Sequence, residues 1–206
     1  MKYPWRFYEK SVGMWIVESN RGVHSFPLDT KGLDLESVSR EYFHYFDEVI
    51  SALGDQFAPT AIEYPPGTTV TESPIPLYLY QAKMRLFETW REDIKHCSMW
   101  APGAVFKGLT EVAVQNEGKV ISVQLPGLLN MMFSGMPGTD RYTLMLSTNC
   151  DIWLEKTLSG EVNPVGRANA LRLEKALKKI REALDGEVVH FASEAEGVKL
   201  NANGFA

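Results

Sequence analysis

The hydrophobic pattern changes period along the chain, and that change limits the possible folds more than any other feature. Residues 34–53 and 167–184 carry apolar side chains at helical spacing, whereas residues 111–125 alternate. A chain that buries helical stripes against a pleated face belongs to the α+β class. In the first helical segment Leu35, Val38, Tyr42, Phe43, Tyr45, Phe46, Val49, Ile50 and Leu53 fall in an arc of roughly 160° at 100° per residue. Glu36, Arg40, Glu41, His44, Asp47, Glu48 and Ser51 occupy the opposite side. Asp34 is the expected N-cap and Gly54 the expected stop.

A second helix is predicted from Ser73-Pro74 to about Lys95, with Leu77, Leu79, Tyr80, Met84, Leu86, Phe87, Trp90 and Ile94 on its broad apolar side. Lys83 and Arg91 intrude into that arc, either as snorkelling edge residues or as a cation pair on a contact surface. The third helix runs from about Arg167 to Leu184 and ends at Asp185-Gly186, its basic residues forming a solvated face. Glu111 to Gln115 and Lys119 to Leu125 flank Asn116-Glu117-Gly118, the signature of a hairpin. Further strands are predicted at 142–147 and 151–154, with shorter ones at 14–18, 60–64 and 188–192. The expected architecture is one α+β domain over residues 1–206, a mainly antiparallel sheet with about three helices packed on it.

Two stretches resist this pattern. Five of the eleven prolines lie between Pro59 and Pro76, which predicts an extended or turn-rich connection. Residues 125–140 mix Pro126, Gly127, Gly135, Pro137 and Gly138 with Leu128, Leu129, Met131, Met132 and Phe133. That mixture predicts a tucked loop or short helix completing the core, or an adaptable Met-rich contact surface.

Local motifs for chemistry are sparse. His24, His44, His96 and His190 are scattered, and His96-Cys97 lacks the companion ligands of a zinc site, so no metal is expected. Cys97 and Cys150 have no base nearby in sequence and read as buried, inert thiols. A nucleophile elbow is missing around Ser134-Gly135, and neither G-x-x-x-x-G-K-[ST] nor G-x-G-x-x-G occurs, so no nucleotide cofactor is expected. The best remaining catalytic set is Asp140, Arg141, Asp151 and Glu155, which nothing separates from ordinary turn charges. The start Met1-Lys2-Tyr3-Pro4-Trp5-Arg6 lacks a signal peptide's apolar run, and two cysteines make no disulfide scaffold; a cytoplasmic protein is expected. No apolar run is long enough to span a membrane.

Net charge sharpens the picture. With 21 Lys and Arg against 26 Asp and Glu the chain carries −5, which argues against a nucleic-acid binder. Residues 29–55 hold seven acids and two bases, so that segment equals the charge of the whole chain. An acidic helix face with aromatic edges suits a basic protein partner, and Glu41, His44, Tyr45, Asp47 and Glu48 form the expected contact surface.

The run Leu144-Met-Leu-Ser-Thr-Asn-Cys-Asp-Ile-Trp-Leu154, then Gly160-Glu-Val-Asn163, then Asn169-Ala-Leu-Arg-Leu-Glu-Lys-Ala-Leu177 resembles bacterial immunity-type proteins that are encoded beside polymorphic or contact-delivered toxins. The resemblance lies within residues 144–177 and concerns scaffold positions. It implies direct binding and neutralisation of a cognate toxin, without catalysis or cofactor, and carries over no toxin-contact residue. Within it, Asp151 and Asn169 are expected to satisfy backbone groups at the turn and the helix start, with Trp153 in the core. The competing classes are a small hydrolase or transferase with dispersed residues, and a phage or structural component assembling through Met131-Met132-Phe133.

Overall fold

A computed structural model describes residues 3–19, 35–63, 69–72, 103–136 and 141–206. Along them run β1 (Gly13–Ser19), α1 (Leu35–Leu53), β2 (Phe57–Glu63), β3 (Thr69–Glu72), β4 (Gly103–Asn116), β5 (Lys119–Met136), β6 (Arg141–Thr148), α2 (Gly166–Leu184), β7 (Gly186–Ala192), β8 (Leu200–Asn201) and β9 (Gly204–Phe205). Seven strands form one sheet in the order β3-β2-β4-β5-β6-β1-β7, with every neighbouring pair antiparallel. The predicted hairpin is its longest ladder. Asn116 pairs with Lys119 across Glu117 (φ 49°) and Gly118 (φ 77°), two left-handed residues whose twist matches the flanking strands.

Strand order and direction also fix where the helices go. The β1–α1–β2 and β6–α2–β7 connections each join parallel strands across intervening ones. One crosses leftward and the other rightward from oppositely directed strands, so both are right-handed only if α1 and α2 share a face. They do, and they pack against each other there. Phe46 of α1 stacks on Phe106 at 4.1 Å between ring centres, and Tyr45 lies 4.2 Å from Tyr142. From α2, Leu173, Leu177, Ile180 and Leu184 are buried, each worth about 2 kcal/mol of apolar burial. These residues join Trp15, Val17, Phe133, Leu144 and Leu146 in one contiguous cluster.

β2 pairs with β4 only as far as Thr110, and β6 pairs with β5 only from Asn130 onward. The hairpin therefore continues past its neighbours as a two-stranded arm. α2 braces it: Asn169 Oδ1 accepts the Ala113 N–H at 2.7 Å and its amide donates to the Ala113 carbonyl at 3.0 Å, the pair of bonds an adjacent strand would supply. Arg172 bonds both strands of the arm, through Glu111 at 2.6 Å and Ser122 at 2.7 Å. That contact holds the Glu111 carboxyl below its ordinary range despite partial burial.

Several expectations change. Residues 125–136 are neither a loop nor a helix but the continuation of β5, with Leu128, Leu129, Met131 and Phe133 buried. A register shift opposite Lys107–Leu109, with Gly127 at φ 70°, absorbs the breakers that made the segment look irregular. Pro59 belongs to β2 and pairs with Gly108 where β3 has not yet joined the other side, a position that needs no outward N–H. Thr69–Glu72 of the proline-rich stretch forms β3. Asp151–Leu154 is not a strand: Asp151–Trp153 is a 3-10 turn closed by Leu154 N–H on the Asp151 carbonyl. The described residues hold two α-helices; the predicted helix at 73–95, with Lys83 and Arg91, lies outside them.

α2 ends as its sequence suggests, though the left-handed residue is Asp185 (φ 45°) rather than the glycine. Gly186 is needed one position later, where a Cβ would run into the Glu18 carbonyl of β1. At the other end, a Cβ on Gly166 would overlap the Leu154 carbonyl and the Glu155 nitrogen, both rigid backbone. Gly166→Ala is expected to destabilise by about 2–3 kcal/mol through overpacking, read as a lower urea midpoint. Gly118→Ala, with open space around it and only the turn's φ to strain, is expected to cost about 1 kcal/mol.

Candidate functional site

The acidic face of α1 comes out divided. His44 is exposed and its Nε2 lies 3.4 Å from Glu48 Oε1, one turn along the helix. Asp47 and Glu48 are half-buried, because this side of α1 looks across a shallow groove at α2. Lys179, Glu182 and Ala183 form the opposite wall. Tyr45 is not part of this surface: at 8% exposure it is turned into the core against Tyr142. Its position at the border of the apolar arc left the choice open, and the sheet below α1 took it. The Glu41 side chain lies outside the described part of the structure. Lys179 and Glu182 escaped the sequence reading because only helix–helix packing brings them beside Glu48.

The polar side chains Asp151, Asn163 and Asn169 of the 144–177 run are directed inward. Asp151 is fully buried, with Oδ1 accepting the Arg6 N–H at 2.7 Å and Oδ2 accepting the Tyr8 hydroxyl at 2.7 Å and the Leu158 N–H at 3.0 Å. Burial first, and this hydrogen bond second, push the Tyr8 phenol up to about 12. Trp153 is buried as expected and donates from Nε1 to Thr148 Oγ1 at 3.0 Å. Asn163 donates to the Ile152 and Leu154 carbonyls at 2.9 and 3.0 Å. Asn169 does not cap the helix start; it reaches out to Ala113 in β4. The bonds of Asp151 to Arg6 and Tyr8 and of Asn169 to Ala113 span 145, 143 and 56 residues, so no local spacing announced them.

The candidate catalytic set does not assemble among the described residues. Both Asp151 oxygens are engaged with the scaffold, and Glu155 is exposed. Asp140 and the Arg141 side chain lie outside the described residues, as do His24, His96 and Cys97. His44 stands on α1 and His190 on β7, both exposed, and the described residues contain no cluster of three or more His, Cys, Asp or Glu able to hold a metal. Cys150 is fully buried, and burial pushes its thiol up to about 12. Compared with family models, with curated proteins and with solved structures, the chain matches none.

Two measurements follow from this network. Asn169→Ala leaves the buried Ala113 N–H and carbonyl without their partner and is expected to cost about 2–3 kcal/mol in denaturant unfolding. The raised groups set an alkaline limit. Cys150 moves from 9.0 and Tyr8 from 10.0, each to about 12, so the neutral forms favour the fold and that contribution disappears as pH rises from about 9 to about 12. The urea midpoint should fall across this window, and Cys150→Ala should remove the part of the decline that begins near pH 9.

Proposed function

We propose that the chain is a cytoplasmic protein-binding factor, an immunity protein that neutralises a cognate bacterial toxin by direct binding. The observation that carries this reading is the groove between α1 and α2, where His44, Asp47 and Glu48 meet Glu182 on a surface open to solvent. An acidic groove of this kind attracts a basic partner through long-range charge and seats its side chains between two rigid helices. The inward residues of the immunity-like run support the same reading, since they build the platform on which α2 is held. No helix among the described residues is long and apolar enough to cross a membrane.

The hydrolase or transferase alternative draws on Asp140, Asp151 and a histidine within mutual reach, and Asp151 is occupied by Arg6, Tyr8 and Leu158. Assembly as a phage or structural component through Met131-Met132-Phe133 draws on side chains of which Met131 and Phe133 are buried.

The test is co-expression with the protein encoded next to this one, scoring suppression of toxicity and co-purification. Glu48→Lys combined with Glu182→Lys should weaken the complex by about 10-fold or more at low salt and flatten its salt dependence, with the fold retained by circular dichroism. Toxicity unaffected by co-expression overturns the immunity reading; full affinity in the folded double variant removes the groove from the interface.

A further inference from the structure

β7 is the last strand of the sheet, and no described strand pairs with its outer edge. Its sequence, Gly186-Glu-Val-Val-His-Phe-Ala192, has neither the lysine nor the proline that commonly blunts such an edge. Val189 is 53% exposed and Phe191 43% exposed, both large for solvent-facing apolar groups at one edge. A bulge lies within the strand. Ile16 pairs with His190 and Val17 with Val188, so Val189 has no partner in β1.

The bulge gives the edge an unusual symmetry. By the ladder register, Glu187 lies with Glu18 and His190 with Ile16, on the face away from the helices, while Phe191 lies with Trp15 and Val188 with Val17 on the helix side. Glu187 therefore stands beside a like charge, Glu18, and makes no ion pair among the described residues. A two-fold axis between Val188 and Val189 would set Glu187 of one copy opposite His190 of the other, Gly186 opposite Phe191, and Val188 opposite Val189, each pair occurring twice. Both members of the Glu–His pair fall on one face, and both members of the Gly–Phe pair fall on the other. Without the bulge these faces would not match, because side chains alternate at every residue.

We infer that β7 is a self-association edge, on which a second copy of this chain pairs antiparallel to form a continuous sheet across the two-fold axis. The imidazole offsets the crowded carboxylate, the phenyl ring covers the glycine backbone, and the free N–H and C=O groups of both edges find partners. One strand from each copy makes a small interface, so the dimer is weak and depends on concentration. This inference does not rest on the proposed toxin binding, whose groove lies between α1 and α2.

The test is sedimentation equilibrium of the full chain from about 1 to about 200 μM, the range in which small interfaces associate. A monomer–dimer equilibrium is expected. Val189→Lys should weaken it by about 10-fold or more without shifting the thermal midpoint, since the side chain is exposed and outside the β1 ladder. Glu187→Lys and His190→Glu should each weaken it, while the double variant should restore association by pairing Lys with Glu in the same register. A monomer throughout the range, or a dimer indifferent to Val189→Lys, overturns the proposal. A double variant no tighter than either single one overturns the register.

Discussion

Asn169 is the buried point at which helix layer and sheet are joined by hydrogen bonds to the backbone as well as by apolar contact. Its amide closes both backbone groups of Ala113, in a stretch of β4 that has run past the end of β2. Without that closure a buried N–H and a buried carbonyl would lose their partner, and the arm would be a two-stranded ribbon, which is marginal in water. The same side chain also reaches the Ile152 carbonyl at 3.5 Å, linking the arm to the turn that delivers the chain into α2. Register in the arm, placement of α2 and the route of residues 148–166 thus depend on one another.

The turn is organised in the same way. Asp151 gathers Arg6, Tyr8 and Leu158, so the N-terminal segment and the loop before α2 are held by one buried carboxylate. A buried carboxylate is tolerable only when its lone pairs are met, and here three donors meet them. The polar atoms of Asp151, Asn163 and Asn169 are thus engaged with the chain's own backbone and, at Asp151, with the Tyr8 hydroxyl. Among the described residues, the groove between the helices and the outer edge of β7, the two surfaces proposed for binding, lie outside this polar network.

Some elements were legible because their signal is local. α1 and α2 follow from apolar periodicity, and the hairpin follows from Asn116-Glu117-Gly118 between alternating runs. The continuation of β5 was not legible, because Pro126 and Gly127 read as breakers until a register shift opposite β4 accommodates them. Nor was the 3-10 turn at Asp151, whose shape depends on donors from Arg6 and Leu158. On the acidic side of α1, His44 is exposed and Glu48 half-buried while Tyr45 is turned inward, since a border position on a helical wheel is resolved only by what lies beneath it.

The sequence by itself determined the α+β class, the two described helices, the central hairpin and the concentration of negative charge in residues 29–55. Each of these depends on interactions within a few turns or a few residue pairs, so a linear reading contains them. Only the tertiary structure decided that both helices share one face, that Asn169 serves β4 rather than its own helix, and that Glu182 joins Glu48 in a groove. The physical reason is separation. Ala113 and Asn169 are 56 residues apart, and the satisfaction of a buried backbone group by so distant a side chain leaves no periodic trace.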